Sequence, residues 1–131
     1  MLQQPTPEDY VIATGITTKV RDFISMAFKE VGVEIEFKGK GKDEKGFVKS
    51  CTREFEFKTG QEVVAVDPNY FRPTEVDLLI GDATKAKEKL GWRPKYTLKE
   101  MISEMVAHDV EIFRKHKLLQ EAGFRVLPQH E

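Results

Sequence analysis

The sequence predicts an α/β chain with a small mixed sheet and three main helices, and three observations carry that expectation. Apolar residues recur at three- and four-residue steps in two long windows, residues 20–31 and 98–113. Between them lie short runs of β-branched and aromatic residues, some alternating with charge. A third, shorter helix has both ends marked, by Asp82 before it and Gly91 after it.

Taken in order, Tyr10-Val11-Ile12-Ala13-Thr14 closes at Gly15 and reads as a buried strand. Val20, Phe23, Ile24, Ala27, Phe28 and Val31 form one helical face, with Thr17 or Thr18 as N-cap and Gly32 at the end. Val33-Glu34-Ile35-Glu36-Phe37 alternates as a strand with one face covered should. Residues 39–46 hold three glycines and five charges, and read as an exposed loop. Phe47-Val48, then Glu54 to Phe57, then Glu62 to Val66 read as strands, the last two joined as a hairpin across Lys58-Thr59-Gly60-Gln61. Asp82 caps a helix from Ala83 to Leu90, and Pro94 prevents its continuation. Thr97-Leu98-Lys99-Glu100 is a capping box opening a last helix that fades between His116 and Gly123. The whole, residues 1–131, is expected to be one domain with a poorly ordered tail from about 119.

Composition excludes several classes of function. Charged residues are 33% of the chain yet leave a net charge of -1, so no overall field draws it to nucleic acid or an anionic membrane. The lone Cys51 excludes an internal disulfide and reads as a packing residue in a reducing, cytoplasmic setting. His108, His116 and His130 lack metal-ligand spacing, so no metal is implied. The lysines at 38, 40, 42, 45 and 49 are interrupted by Asp43 and Glu44 and read as a solvated loop rather than a phosphate patch.

The stretch from Asp67 to Pro94 is the most informative. Pro68 and Pro73 restrict the backbone around Tyr70, Phe71 and Arg72, which places the guanidinium on a stiff support. Tyr-Phe-Arg-Pro-Thr-Glu-Val, then Gly-Asp-Ala-Thr-Lys-Ala, then Leu-Gly-Trp-Arg-Pro resemble the C-terminal region of GDP-mannose 4,6-dehydratases, members of the extended short-chain dehydrogenase/reductase family. Asp9 to Gly15, Val20-Arg21-Asp22-Phe23, Glu44-Lys45-Gly46 and Met101 to Asp109 extend the resemblance over nearly the whole chain.

That resemblance implies a substrate-binding C-terminal portion of an enzyme that converts GDP-mannose to GDP-4-keto-6-deoxymannose with NADP. It implies that Arg72 binds the nucleotide diphosphate and Glu75 its ribose. The residue types suit the ligand, since Arg grips phosphate oxygens in a fork and Glu accepts two hydroxyl hydrogen bonds. The alternative from the residues alone is a surface ion pair. Tyr70 and Phe71 pack beneath the nucleotide or in a plain core. Arg21, at the positive end of its helix, needs an anion or a partner. Asp82, Lys85 and Lys87 read as a cap and two solvent-facing lysines, and Trp92 as a core anchor.

The family's glycine-rich NADP loop and Tyr-x-x-x-Lys pair do not occur in this sequence; Tyr96 and Lys99 stand one position too close. No catalytic residue is assigned, and the Rossmann cofactor domain is expected to be missing. The expected partners are GDP-mannose or GDP, that cofactor domain, and further copies in a homo-oligomer. The competing reading is a stand-alone, non-catalytic binding or structural module of the same descent.

Overall fold

The computed structural model describes residues 3–52, 55–72 and 79–125. Among these residues three α-helices and a three-stranded sheet follow one another as α1 (Val20–Glu30), β1 (Val33–Lys38), β2 (Lys45–Cys51), β3 (Glu62–Ala65), α2 (Thr84–Leu90) and α3 (Leu98–Glu121). The sheet runs β1-β2-β3 and both pairings are antiparallel, so it is an antiparallel sheet where a mixed one was expected.

The ladder explains why. Ile35 pairs with Val48 and Phe37 with Gly46 on β1–β2, and Gly46 pairs with Val64 on β2–β3. Gly46 is buried between those neighbours, and a Cβ there would lie 3.0 Å from both Ile35 Cγ2 and Val64 Cβ. The loop expected over 39–46 is thus shorter, a single 3-10 turn at Gly41–Asp43, with Lys45 and Gly46 already in β2. The expected hairpin of residues 54–57 on 62–66 does not form, because β2 takes the edge of β3. Residues 55–57 have no strand structure, and Glu54 lies outside the described residues. Alternation cannot name a strand's partner, and the longer β2 offers β3 more apolar surface than the 54–57 run does.

α1 packs between β1 and α3. Val33, Val48 and Ile102 are 0%, 1% and 1% exposed and form the centre of this layer, with Ala83 and Ala86 of the α2 region buried as well. The helix ends obey local chemistry. Gly32, just beyond α1, has φ 73° and donates its N–H to Lys29 O. Thr97 Oγ1 accepts from Glu100 N while Glu100 Oε2 accepts from Thr97 N at 2.7 Å, the complete capping box. These bonds hold the Glu100 carboxyl below the usual carboxylate range, the Thr97 backbone N–H contributing most.

Two expected caps differ. The residue before α1 is Lys19, with no side-chain cap; Thr17 instead turns its hydroxyl toward Leu79 O, 3.4 Å away. α2 begins at Thr84 rather than Ala83, yet Asp82 still serves it, because Asp82 Oδ1 accepts from Thr84 N at 2.9 Å and Thr84 Oγ1 at 2.6 Å. Thr84's hydroxyl and amide together depress the Asp82 carboxyl.

The strand expected at Tyr10 to Thr14 is not formed. The segment lies beside residues 79–81, where a Cβ on Gly81 would come within 2.6 Å of Ala13 Cβ, but no ladder joins them. Val11 is 51% exposed and Ile12 47%. A run with strand propensity forms a strand only when a second edge meets its N–H and C=O groups, and this one has none among the described residues.

Candidate functional site

Asp67 builds the turn that presents Arg72. Its Oδ1 accepts from Asn69 N at 2.8 Å and its carbonyl accepts from Tyr70 N and Phe71 N, both at 3.1 Å. Together with Pro68 this pins the backbone up to Phe71. Arg72 follows, exposed and already engaged with a partner in the chain. Glu75, the expected ribose contact, lies outside the described residues, as does Pro73.

Tyr70 is 83% exposed and Phe71 37%, so Tyr70 is no core residue. Phe71 lies toward the 3-10 turn between β1 and β2, where a side chain on Gly41 would come within 3.9 Å of its ring Cζ. The same turn ends at Glu44, whose side chain is 19% exposed and forms an ion pair with Arg21 at the start of α1. Arg21 also sits over the Phe37 ring of β1, 5.6 Å from its centroid. Glu44 Oε1 is closed off from solvent and has no aligned hydrogen bond among the described residues, and the Arg21 charge sits against it.

The α1 start, the β1–β2 turn and the Asp67 turn therefore meet in one neighbourhood, which joins three stretches that the sequence singled out separately. Arg21 needed an anion and the structure supplies Glu44, which was expected only as part of a solvated loop. The signal was there: a cation in the first turn of one helix and an acidic residue in a glycine-rich loop.

Three of the lysines around that loop have carboxylate partners. Lys45 Nζ reaches Glu62 Oε2 at 2.8 Å, Lys38 reaches Glu36 at 3.2 Å and Lys49 lies 3.9 Å from Glu34. Lys85, expected to point to water, instead reaches Asp9 O and Glu8 Oε2, each at 2.9 Å, and Lys89 reaches Glu8 at 2.8 Å. Hydrogen bonds from Lys89 and then Lys85 pull the Glu8 carboxyl down to about 2, and Glu8 in turn raises Lys89. Nothing local announces this clasp, because 76 or more residues separate its members.

Trp92 is half-buried, and its N–H donates to Ala86 O at 3.2 Å over a left-handed Gly91. Cys51 is half-buried, its thiol donating toward Thr52 O and Phe55 O. Among the described residues no group of three His, Cys, Asp or Glu is placed to hold a metal ion. None of their helices is long and apolar enough to cross a membrane.

Comparison with known proteins gives the chain a family. The family model of GDP-mannose 4,6 dehydratase matches residues 1–105. The chain is 53% identical over 128 residues to a GDP-mannose 4,6-dehydratase of Vibrio cholerae serotype O1, covering 96% of the chain and 34% of the relative. It is 50% identical over 118 residues to the GDP-mannose 4,6 dehydratase of Drosophila melanogaster, covering 90% of the chain and 28% of the relative. With the Homo sapiens protein of that name it shares 46% over 114 residues, 87% of the chain and 28% of the relative. The chain belongs to the GDP-mannose 4,6 dehydratase family, and it spans about a third of the length of the Vibrio relative.

Proposed function

We propose that this chain is the substrate-binding portion of an NADP-dependent GDP-mannose 4,6-dehydratase of the extended short-chain dehydrogenase/reductase type. In this reading Arg72 holds the diphosphate of GDP-mannose, Glu75 holds the ribose, and a Rossmann domain brings NADP and the catalytic residues. The reaction yields GDP-4-keto-6-deoxymannose in the cytoplasm. The observation that carries the reading is the braced turn: Asp67 and Pro68 fix the backbone leading to an exposed Arg72, in a chain of this family. A guanidinium on a fixed backbone loses little entropy on gripping a phosphate, which is what a nucleotide-diphosphate site requires.

The surface favours this reading over a self-sufficient module. Val11, Ile12, Ile16, Leu79 and Ile80 are all exposed apolar residues on the paired segments that lack a ladder. They suit burial against a cofactor domain, which would also supply the strand edge that residues 10–14 lack.

Titration of the chain with GDP tests the reading. Arg72→Ala is expected to weaken binding by roughly 1.5–3 kcal/mol, and Glu75→Gln by less. GDP affinity unchanged in Arg72→Ala contradicts it.

A further inference from the structure

The Arg21–Glu44 ion pair stands one turn away from the loop that carries Arg72. Arg21 occupies the first turn of α1, where the helix dipole disfavours a cation, and Glu44 is a carboxylate whose side chain is only 19% exposed. Each position is unfavourable alone, and the ion pair offsets both. What the pair holds in place is the turn between β1 and β2. Glu44 N donates to Gly41 O at 3.2 Å and Asp43 N to Lys40 O at 3.3 Å, so the carboxylate and the Gly41 peptide are tied within one short turn. Gly39, at φ 88°, folds that turn back so closely that a Cβ on it would run into Asp43 O.

Phe71 rests on this turn. Its ring Cζ lies 3.9 Å from the point where a Gly41 side chain would begin, and Phe71 is 37% exposed while Tyr70 beside it is 83% exposed. The Phe71 backbone has a separate anchor, because its N–H donates to Asp67 O at 3.1 Å. A residue has only two soft backbone torsions. An amide held on Asp67 and a ring held on Gly41 fix the first of them at Phe71, and so restrict the direction in which the chain leaves for Arg72.

We infer that Arg21 and Glu44 are positioning residues for Arg72: their ion pair sets the turn at 41–44, the turn seats the Phe71 ring, and the seated ring aims the guanidinium. The inference rests on the reading of Arg72 as the diphosphate contact and gives neither Arg21 nor Glu44 a contact with the ligand. A site that is in its competent form for only a fraction of the time binds more weakly by that fraction, so the pair acts on affinity through preorganisation.

The test combines NMR of the chain with calorimetric titration by GDP. In the wild type a nuclear Overhauser contact is expected between the Phe71 ring and the Gly41 α protons. Arg21→Glu sets two carboxylates against each other, yet an acidic residue in the first turn suits α1, so helicity by circular dichroism should hold. That variant is expected to lose the Phe71–Gly41 contact and to bind GDP about threefold to tenfold more weakly. Glu44→Gln, which keeps the shape and removes the charge, should show a smaller loss of both. Exchanging the pair, Arg21→Glu with Glu44→Arg, is expected to restore them. In a Phe71→Ala background Arg21→Glu should weaken GDP no further, because the seat is already gone. Lys45→Gln, which breaks the exposed Lys45–Glu62 pair on the same hairpin, should leave both readouts at wild type. A Phe71–Gly41 contact that persists in Arg21→Glu, an exchange that fails to restore it, a loss repeated in full in Phe71→Ala, or an equal loss in Lys45→Gln would each overturn the inference. GDP affinity lost in Arg72→Ala but indifferent to Arg21→Glu would keep the binding reading and overturn the positioning. A Phe71 contact that answers to the pair in a chain without GDP affinity would support the positioning and defeat the binding reading.

Discussion

Residues 33–37 and residues 10–14 carry similar strand signatures and end differently. The first run forms β1, hydrogen-bonded to β2 and covered by α1, with Val33 0% exposed. The second forms no strand and leaves Val11 and Ile12 about half exposed. Both have the β-branched residues that fit a pleated surface, so propensity does not separate them. What separates them is a partner edge inside the chain: β2 is one turn away from β1, whereas residues 10–14 meet only the segment at 79–81, without a ladder. The half of the molecule from α1 to β3, with the start of α3, closes its own core; residues 11–12 and 79–80 of the other half leave their apolar side chains exposed.

The sharpest way to probe this contrast is to damage each half equally. Ile102→Ala, at the centre of the closed core, is expected to cost about 2–5 kcal/mol. Ile12→Ala should stay within about 0.5 kcal/mol in the chain alone, because little is buried there to lose. Chemical denaturation of both variants checks the pair, and equal losses would erase the distinction.

A smaller effect is expected where the open half does pack. Gly81→Ala places a methyl 2.6 Å from Ala13 Cβ and must spread the two segments, at roughly 1–3 kcal/mol. Hydrogen exchange should then rise in residues 8–16 and not in β1. Thr97→Ala removes one arm of the capping box and is expected to cost about 1 kcal/mol, read as a lower melting temperature.

The smallest effect is electrostatic. Glu8 titrates at about 2 when clasped by Lys89 and Lys85 and near 4.5 when released, so the clasp contributes fully above the released value and is lost as pH falls through the lower one. Lys89, raised by the same contact, adds stability present below 10.5 and lost as pH rises beyond its folded value. Glu8→Gln should flatten the acid side of the profile for residues 8–10 and leave that of the β1–β2 hairpin unchanged.

Most local chemistry was legible in the sequence, the expected Thr17 or Thr18 cap of α1 excepted. The Thr97–Glu100 box, the glycines beyond α1 and α2, the Asp82 cap and the alternation of β1 all depend on neighbours within a few residues, and each appears where the residues place it, within one position. The partner of β3, the fate of residues 10–14 and the Glu8 clasp depend on which distant edge or charge comes near. A period of two or a lone glutamate carries no such address. The turn before Arg72 was half legible: Pro68 and Pro73 announce a stiff support for Arg72, but the Asp67 bond that braces it and the meeting of Arg21 with Glu44 needed the fold.

The central claim, that this chain supplies the substrate-binding part of a GDP-mannose 4,6-dehydratase, is tested most directly by transplantation. A chimera would carry this chain in place of the aligned third of the Vibrio cholerae serotype O1 relative, with turnover of GDP-mannose followed in the presence of NADP. The account predicts turnover by the chimera, none by the chain alone, and a fall in kcat/KM of about tenfold to a hundredfold on Arg72→Ala. A folded chimera that binds NADP and leaves GDP-mannose untouched would contradict it, as would full activity retained in Arg72→Ala.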